Sequence, residues 1–96
     1  MKLNQLQYFC AACRNGNITR AAAELHVSQP SISMAIRELA TEFGILLLQR
    51  NNKGFEITRE GTYFYERATV LLEQADELNQ MMCDMGNQST RINIGI

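Results

Sequence analysis

The stretch Asn17–Arg37, NITRAAAELHVSQPSISMAIR, constrains the fold most, because it fits two helix starts and a turn into a span with room only for short helices. Ile18, Ala21, Ala22 and Leu25 recur at spacings of three and four, which gives the first helix one apolar stripe. Asn17 stands where an N-cap would stand. His26 and Val27 supply the turn, and Ser28 suits the cap of the next helix. Pro30 falls in that helix's first turn, where a missing N–H costs little. Ala22 is small where the two helices must cross, and Val27, Ile32, Ala35 and Ile36 complete a shared core. Gln29, Ser33 and Arg37 are left outside on one line, with Pro30 and Met34 beside them. The pattern is a helix-turn-helix, an arrangement whose second helix can enter a major groove and present small polar side chains to base edges.

Net charge is an apparent objection to such a partner, since the chain carries −1 overall. The average hides a split. Residues 1–59 hold seven basic groups (Lys2, Arg14, Arg20, Arg37, Arg50, Lys53, Arg59) against four acids (Glu24, Glu38, Glu42, Glu56). Residues 60–96 hold two basic groups, Arg67 and Arg91, against six acids. Salt screens exposed charges beyond about 8–10 Å, so an acidic half can coexist with a phosphate-binding half that points elsewhere. A hydrophobic share of 46% with 20% charged residues is that of a folded chain rather than a disordered one. No apolar run reaches the length of a membrane span and no signal-peptide pattern opens the chain, so a cytoplasmic protein is expected.

On either side of the motif the periodicity predicts further elements. Leu3–Asn15 places Leu3, Leu6, Phe9 or Cys10, and Cys13 on one helical face, with Gly16 as a stop. After Phe43-Gly44, Ile45–Arg50 and Phe55–Thr58 read as two short strands around Asn51-Asn52-Lys53-Gly54, whose Asn and Gly tolerate left-handed backbone. Two strands after a helix-turn-helix make a wing, with Lys53 at its tip and Arg50 at its base, suited to phosphates or a minor groove.

From Thr58, a plausible N-cap, a proline-free helix is expected to run to about Met85. Phe64, Ala68, Leu71, Ala75, Leu78, Met82 and Met85 form a heptad seam along it. About 27 residues at ~1.5 Å each make a rod of roughly 40 Å, too long to bury its seam on so small a domain. A second copy of the chain is the economical partner, so homodimerisation is expected. Gly86–Thr90 then reads as a polar linker, and Arg91–Ile96 alternates as a strand does. A lone terminal strand has nothing to pair with, which reads as the N-terminal piece of a longer protein.

Other chemistry finds little support. Cys10-x-x-Cys13 lies in the apolar stripe of a helix, where both thiols serve as small core residues, and Cys83 falls off the heptad seam. His26 is the one histidine and has no partner ligands nearby in sequence, so no metal site and no cofactor are expected. No Ser-His-Asp set, paired carboxylates or phosphate-cradling glycine loop supports an enzyme.

Several motifs together carry a family likeness: Leu6-Gln7-Tyr8-Phe9, Thr19-Arg20-Ala21-Ala22, Leu25 through Ser33, Ile36, Leu39, Gly44, Leu47, Arg50, Gly54, and Ile57-Thr58-x-x-Gly61. On them, residues 3–61 resemble the DNA-binding domain of LysR-type transcriptional regulators, with Ser28-Gln29-Pro30-x-x-Ser33 the most specific part. The resemblance implies a mainly α fold: a winged helix-turn-helix of three helices and a two-stranded wing, followed by a long dimerisation helix. The divisions expected are 1–58 for the DNA-binding domain, 59–85 for the linker helix, and 86–96 for a hinge and the first strand of an effector-binding domain. That missing domain would bind a small-molecule inducer, and full-length dimers can pair through it into tetramers.

For the site, the resemblance implies base-edge contacts from Gln29, Pro30 and Ser33. It implies phosphate contacts from Thr19, Arg20, Ser31 and Arg50, and a minor-groove contact from Lys53. Ser28, Met34 and Arg37 complete the expected DNA-binding set. Physics agrees, since glutamine can pair bidentately with adenine while proline and serine suit a thymine methyl or a small polar contact. Met34 departs from the family's usual arginine, replacing a charge with a flexible apolar arm that can touch a thymine methyl but cannot grip phosphate. Leu48 replaces the usual phenylalanine, a packing change. Two function classes follow: sequence-specific binding of double-stranded DNA by a homodimer at an interrupted palindrome, and a winged-helix protein-interaction module. The outer face of Gln, Ser, Pro and Arg suits a groove, whereas a protein interface would be richer in large aromatics.

Overall fold

In the computed structural model, backbone is described for residues 1–94 and side chains for residues 1–87. The order of elements is α1 (Leu3–Asn15), α2 (Ile18–Leu25), α3 (Gln29–Phe43), β1 (Leu48–Asn51), β2 (Gly54–Ile57) and α4 (Arg59–Ile94). Local chemistry sets the boundaries. Gly16 ends α1 in the left-handed region, at φ 65°. Asn17 Oδ1 accepts from Arg20 N at 3.0 Å to start α2. His26 follows at φ 57°, among the described residues the one non-glycine with positive φ, and its N–H returns to Ala23 O. Ser28 Oγ then accepts from Ser31 N at 3.4 Å and opens α3. Both caps, the His26 turn and the Gly44 stop lie where the sequence places them.

The three short helices close over Leu6, Phe9, Ile32, Leu39 and Leu47, all fully buried. Ala11, Ala12 and Ala21 are also fully buried, and Ala22 nearly so, which lets the helix backbones approach closely where they cross. Cys10 lies inside this core and Cys13 packs against it, as the apolar stripe implies. Leu3 does not join it and stays exposed at the start of α1.

The wing is shorter than its sequence suggests. Leu48 pairs with Ile57 and Asn51 with Gly54, so the strands begin at Leu48 rather than Ile45 and end at Ile57 rather than Thr58. Ile45–Leu47 is a connector instead, because the Leu47 side chain plugs the core and its carbonyl is taken by Thr58 N at 3.0 Å. Only Gly54 takes positive φ at the turn; neither Asn51 nor Asn52 does. Asn51 contributes differently, its Oδ1 accepting from Lys53 N at 2.9 Å.

Thr58 joins wing to rod. Its hydroxyl donates to Leu46 O at 2.6 Å and accepts from Gly61 N at 2.9 Å, capping α4. Gly61 is buried there, and a Cβ at this position would meet Leu47 O at 2.2 Å, so only glycine lets the helix approach that closely. Phe64 then packs tilted against Phe9 and Phe43, with ring centroids 5.3 and 5.9 Å apart.

Beyond that anchor α4 runs helical through Ile94, against the expected linker at 86–90 and strand from Arg91. One glycine costs a helix only about 1 kcal/mol, and a strand here would have no neighbour to pair with, whereas a helix satisfies its own backbone. Residues 95 and 96 of the expected strand lie outside the described residues. No helix among the described residues is long and apolar enough to cross a membrane.

Candidate nucleic-acid interface

The caps and the wing together create a cleft of about 470 Å³ along one side of α3. Thr19 reaches it from α2, Gln29, Ser33 and Arg37 from α3, and Arg50 and Lys53 from the wing. These six come from the expected DNA-binding set, brought together although they span 35 positions of sequence, from 19 to 53. Arg20, Ser28, Pro30, Ser31 and Met34 do not line the cleft; they stand exposed beside it, at the start of α2 and on the cap and first two turns of α3. Met34 is 56% exposed, an apolar arm held out to solvent from α3.

The charge pattern of the cleft follows from where the carboxylates go. Its lining includes Arg37, Arg50 and Lys53 but no aspartate or glutamate. Glu24 is taken by Arg14, and by Asn15 Nδ2 at 3.1 Å, which hold its carboxyl below the usual range. Glu38 accepts from Gln5 Nε2 at 3.1 Å, and Glu42 binds the Met1 ammonium at 2.8 Å. Three acids of the N-terminal half are thus drawn to α1 and the N-terminus before it, away from the cleft. Glu56 lies opposite Gln49 in the wing, on the face away from Arg50 and Phe55. The ordinary alternative for Arg37, a surface salt bridge to Glu38 or Glu42, does not form. Among the described residues Arg20, Arg37, Arg50 and Lys53 make no ion pair at all.

At the mouth of α3 the Gln29 side-chain Nε2 donates to Thr19 Oγ1, tying α3 to the start of α2. Ser28 and Ser31 hydroxyls lie 2.7 Å apart in the same turn. Thus Gln29 is at the first position of α3 and its amide has a defined partner.

Comparison with known proteins decides the family. The model described as "bacterial regulatory helix-turn-helix protein, lysR family" matches residues 3–62. The chain belongs to the LysR family. Among relatives, the transcriptional regulator TcbR of Pseudomonas sp. strain P51 is 43% identical over 75 residues, 78% of this chain and 26% of that protein. TfdS of Cupriavidus pinatubonensis is 37% identical over 95 residues, 99% of this chain and 31% of its own length. This chain therefore spans about a quarter to a third of these LysR-family relatives. The BenM DNA-binding domain, solved with catB site 1 DNA, superposes with a TM-score of 0.85 at 36% identity, over 90% of this chain and 97% of that one. Full-length CbnR, solved with its target DNA, gives 0.79 at 40% identity, over 84% of this chain and 28% of that one. The fold is the family's winged helix-turn-helix with its long helix.

The second expected site, the seam of the LysR-type long helix, is only partly free. Ala68 is buried, and Phe64 is half-buried against the chain's own core. Ala75 is half-buried, while Leu71, Leu78, Met82 and Met85 are exposed. Val70 and Met81, missed by the heptad count, are exposed with them. At 100° per residue Val70, Leu71, Leu78, Met81, Met82 and Met85 share one side of α4, an arc of about 120° that leaves out Leu72, which packs inward. The signal was present in the sequence, but a seam that alternates by three and four shifts onto a neighbouring line once its first turns are used internally.

Proposed function

We propose that this chain binds double-stranded DNA in a sequence-selective way as a homodimer, with one α3 in each of two major grooves of an interrupted palindrome. The observation that carries the reading is the cleft beside α3: three unpaired cations line it, and the nearby carboxylates are engaged elsewhere. Phosphate contacts from Arg20, Arg50 and Lys53 would fix the register, and Gln29, Pro30, Ser33 and Met34 would meet base edges. The exposed apolar side of α4 supports the second copy, and the DNA complexes of BenM and CbnR support the partner. A protein-interaction surface would place large aromatics on α3's outer face, where this chain has Gln29, Ser33 and Arg37.

In the full-length protein, residues 1–58 would read DNA, α4 would hold the dimer, and a domain beyond α4 would bind a small-molecule inducer. Such a regulator works in the cytoplasm, and its dimers can pair into tetramers through the inducer domain. The test is binding to a random duplex pool at two salt concentrations. Each phosphate neutralised should contribute a slope of about −0.9 in log affinity against log salt, so affinity should fall steeply with salt and one sequence family should be enriched. A flat salt response, or no enrichment, would overturn the reading.

A further inference from the structure

Ser28, Gln29 and Ser31 are exposed at the mouth of α3, yet Gln29 does not hang free: its Nε2 donates to Thr19 Oγ1. Thr19 sits one residue past the Asn17-capped start of α2, on a backbone pinned by Asn17 Oδ1 to Arg20 N at 3.0 Å. Gln29 is the first residue of α3, pinned by the Ser28 cap. Both ends of the bond are therefore held by helix caps, and both residues line the same cleft.

We infer that Thr19 is the positioning residue for base reading by Gln29. This rests on the DNA-binding reading above. A primary amide has two N–H protons and one carbonyl oxygen. Giving one proton to Thr19 leaves one donor and one acceptor side by side, the pair that adenine matches with N7 and its N6 amino group. The bond also fixes which end of the amide is which, so a base demanding the reverse order meets a misaligned partner. Because Thr19 accepts here, its own hydroxyl proton remains for an acceptor on the DNA. One threonine then links backbone contact to base choice, and part of the cost of ordering a flexible glutamine is met before DNA arrives.

The experiment compares the wild type with Thr19→Val, Thr19→Ser, Gln29→Ala and the Thr19→Val/Gln29→Ala double variant. Each is titrated with the preferred duplex, with that duplex changed at the base pair Gln29→Ala ceases to discriminate, and with a scrambled duplex. Thr19→Val keeps the shape and loses the hydroxyl. It should lower discrimination at that one base pair about threefold to tenfold, the worth of one neutral hydrogen bond. Thr19→Ser should restore it, and in the Gln29→Ala background Thr19→Val should remove no further discrimination. Uniform weakening on all three duplexes, or the same loss in the Gln29→Ala background, would overturn the proposal while leaving DNA binding intact. A wild type indifferent among the duplexes would instead overturn the DNA reading on which the proposal stands. The free protein gives a separate readout: the Gln29 side-chain amide resonances should shift in Thr19→Val and return in Thr19→Ser. Resonances unmoved by Thr19→Val would overturn the bond itself, whatever the DNA shows.

Discussion

In its first turns α4 buries Ala68 to 3% exposure and packs Phe64 against Phe9, whereas further along Leu78 and Met82 stand 59% and 56% exposed. Both regions carry apolar residues at heptad spacing. The near part is consumed by its own domain, and the far part is left without cover. A heptad therefore reports that a helix face is buried somewhere, without saying by what. The partner is set by geometry: Gly61 and Thr58 clamp the start of α4 to Leu47, which points its first turns at α1 and carries the rest clear of the core.

The comparison can be broken most forcefully at Phe9. Phe9→Ala removes the ring on which Phe64 rests and should cost about 3–5 kcal/mol, read as an earlier midpoint in urea unfolding followed by helical signal. A loss under ~1 kcal/mol would mean the near part of α4 is not held by this core. Leu71→Asp with Leu78→Asp addresses the far part. The pair should leave the protomer's own packing unaltered, since both side chains are exposed, and shift sedimentation at micromolar concentration from dimer to monomer. An unchanged oligomeric state would take the exposed face out of dimerisation.

A smaller effect separates the cysteines. Cys10 and Cys13 face the near part of the molecule, with Cys10 Sγ 4.0 Å from Thr69 Oγ1. Burial raises the Cys10 thiol and, with Cys10 beside it, pushes Cys13 up to about 12. The thiolate is the nucleophile, so at mildly alkaline pH both should resist iodoacetamide until the chain unfolds. Cys83 is exposed on the far part and should be alkylated first. Equal labelling of all three in the native protein would show that the core opens readily.

What was legible in the sequence is what local chemistry decides. Asn17, Ser28, Gly16 and Gly44 cap their helices through bonds to residues at most four away, so their roles could be read from spacing. The cleft's residues were also legible, because the motif and the wing supply them in order. Tertiary choices were not. Ile45–Leu47 has strand composition, yet Leu47 is drawn into the core and its carbonyl goes to Thr58. Phe64 and Ala68 fit a dimer seam as well as they fit α1, and only packing chooses. The bond from Gln29 to Thr19 joins two helices across a turn, and no periodicity marks it. The destination of Glu24, Glu38 and Glu42 was likewise hidden, though it decides the charge of the cleft.

The central claim is that the first turn of α3 reads DNA sequence. Its most direct test selects bound duplexes from a random pool with the wild type and with Gln29→Ala. The variant should lose preference at one base pair per half-site, by about 1–3 kcal/mol, and keep it elsewhere. An identical selected sequence from both proteins would contradict the claim.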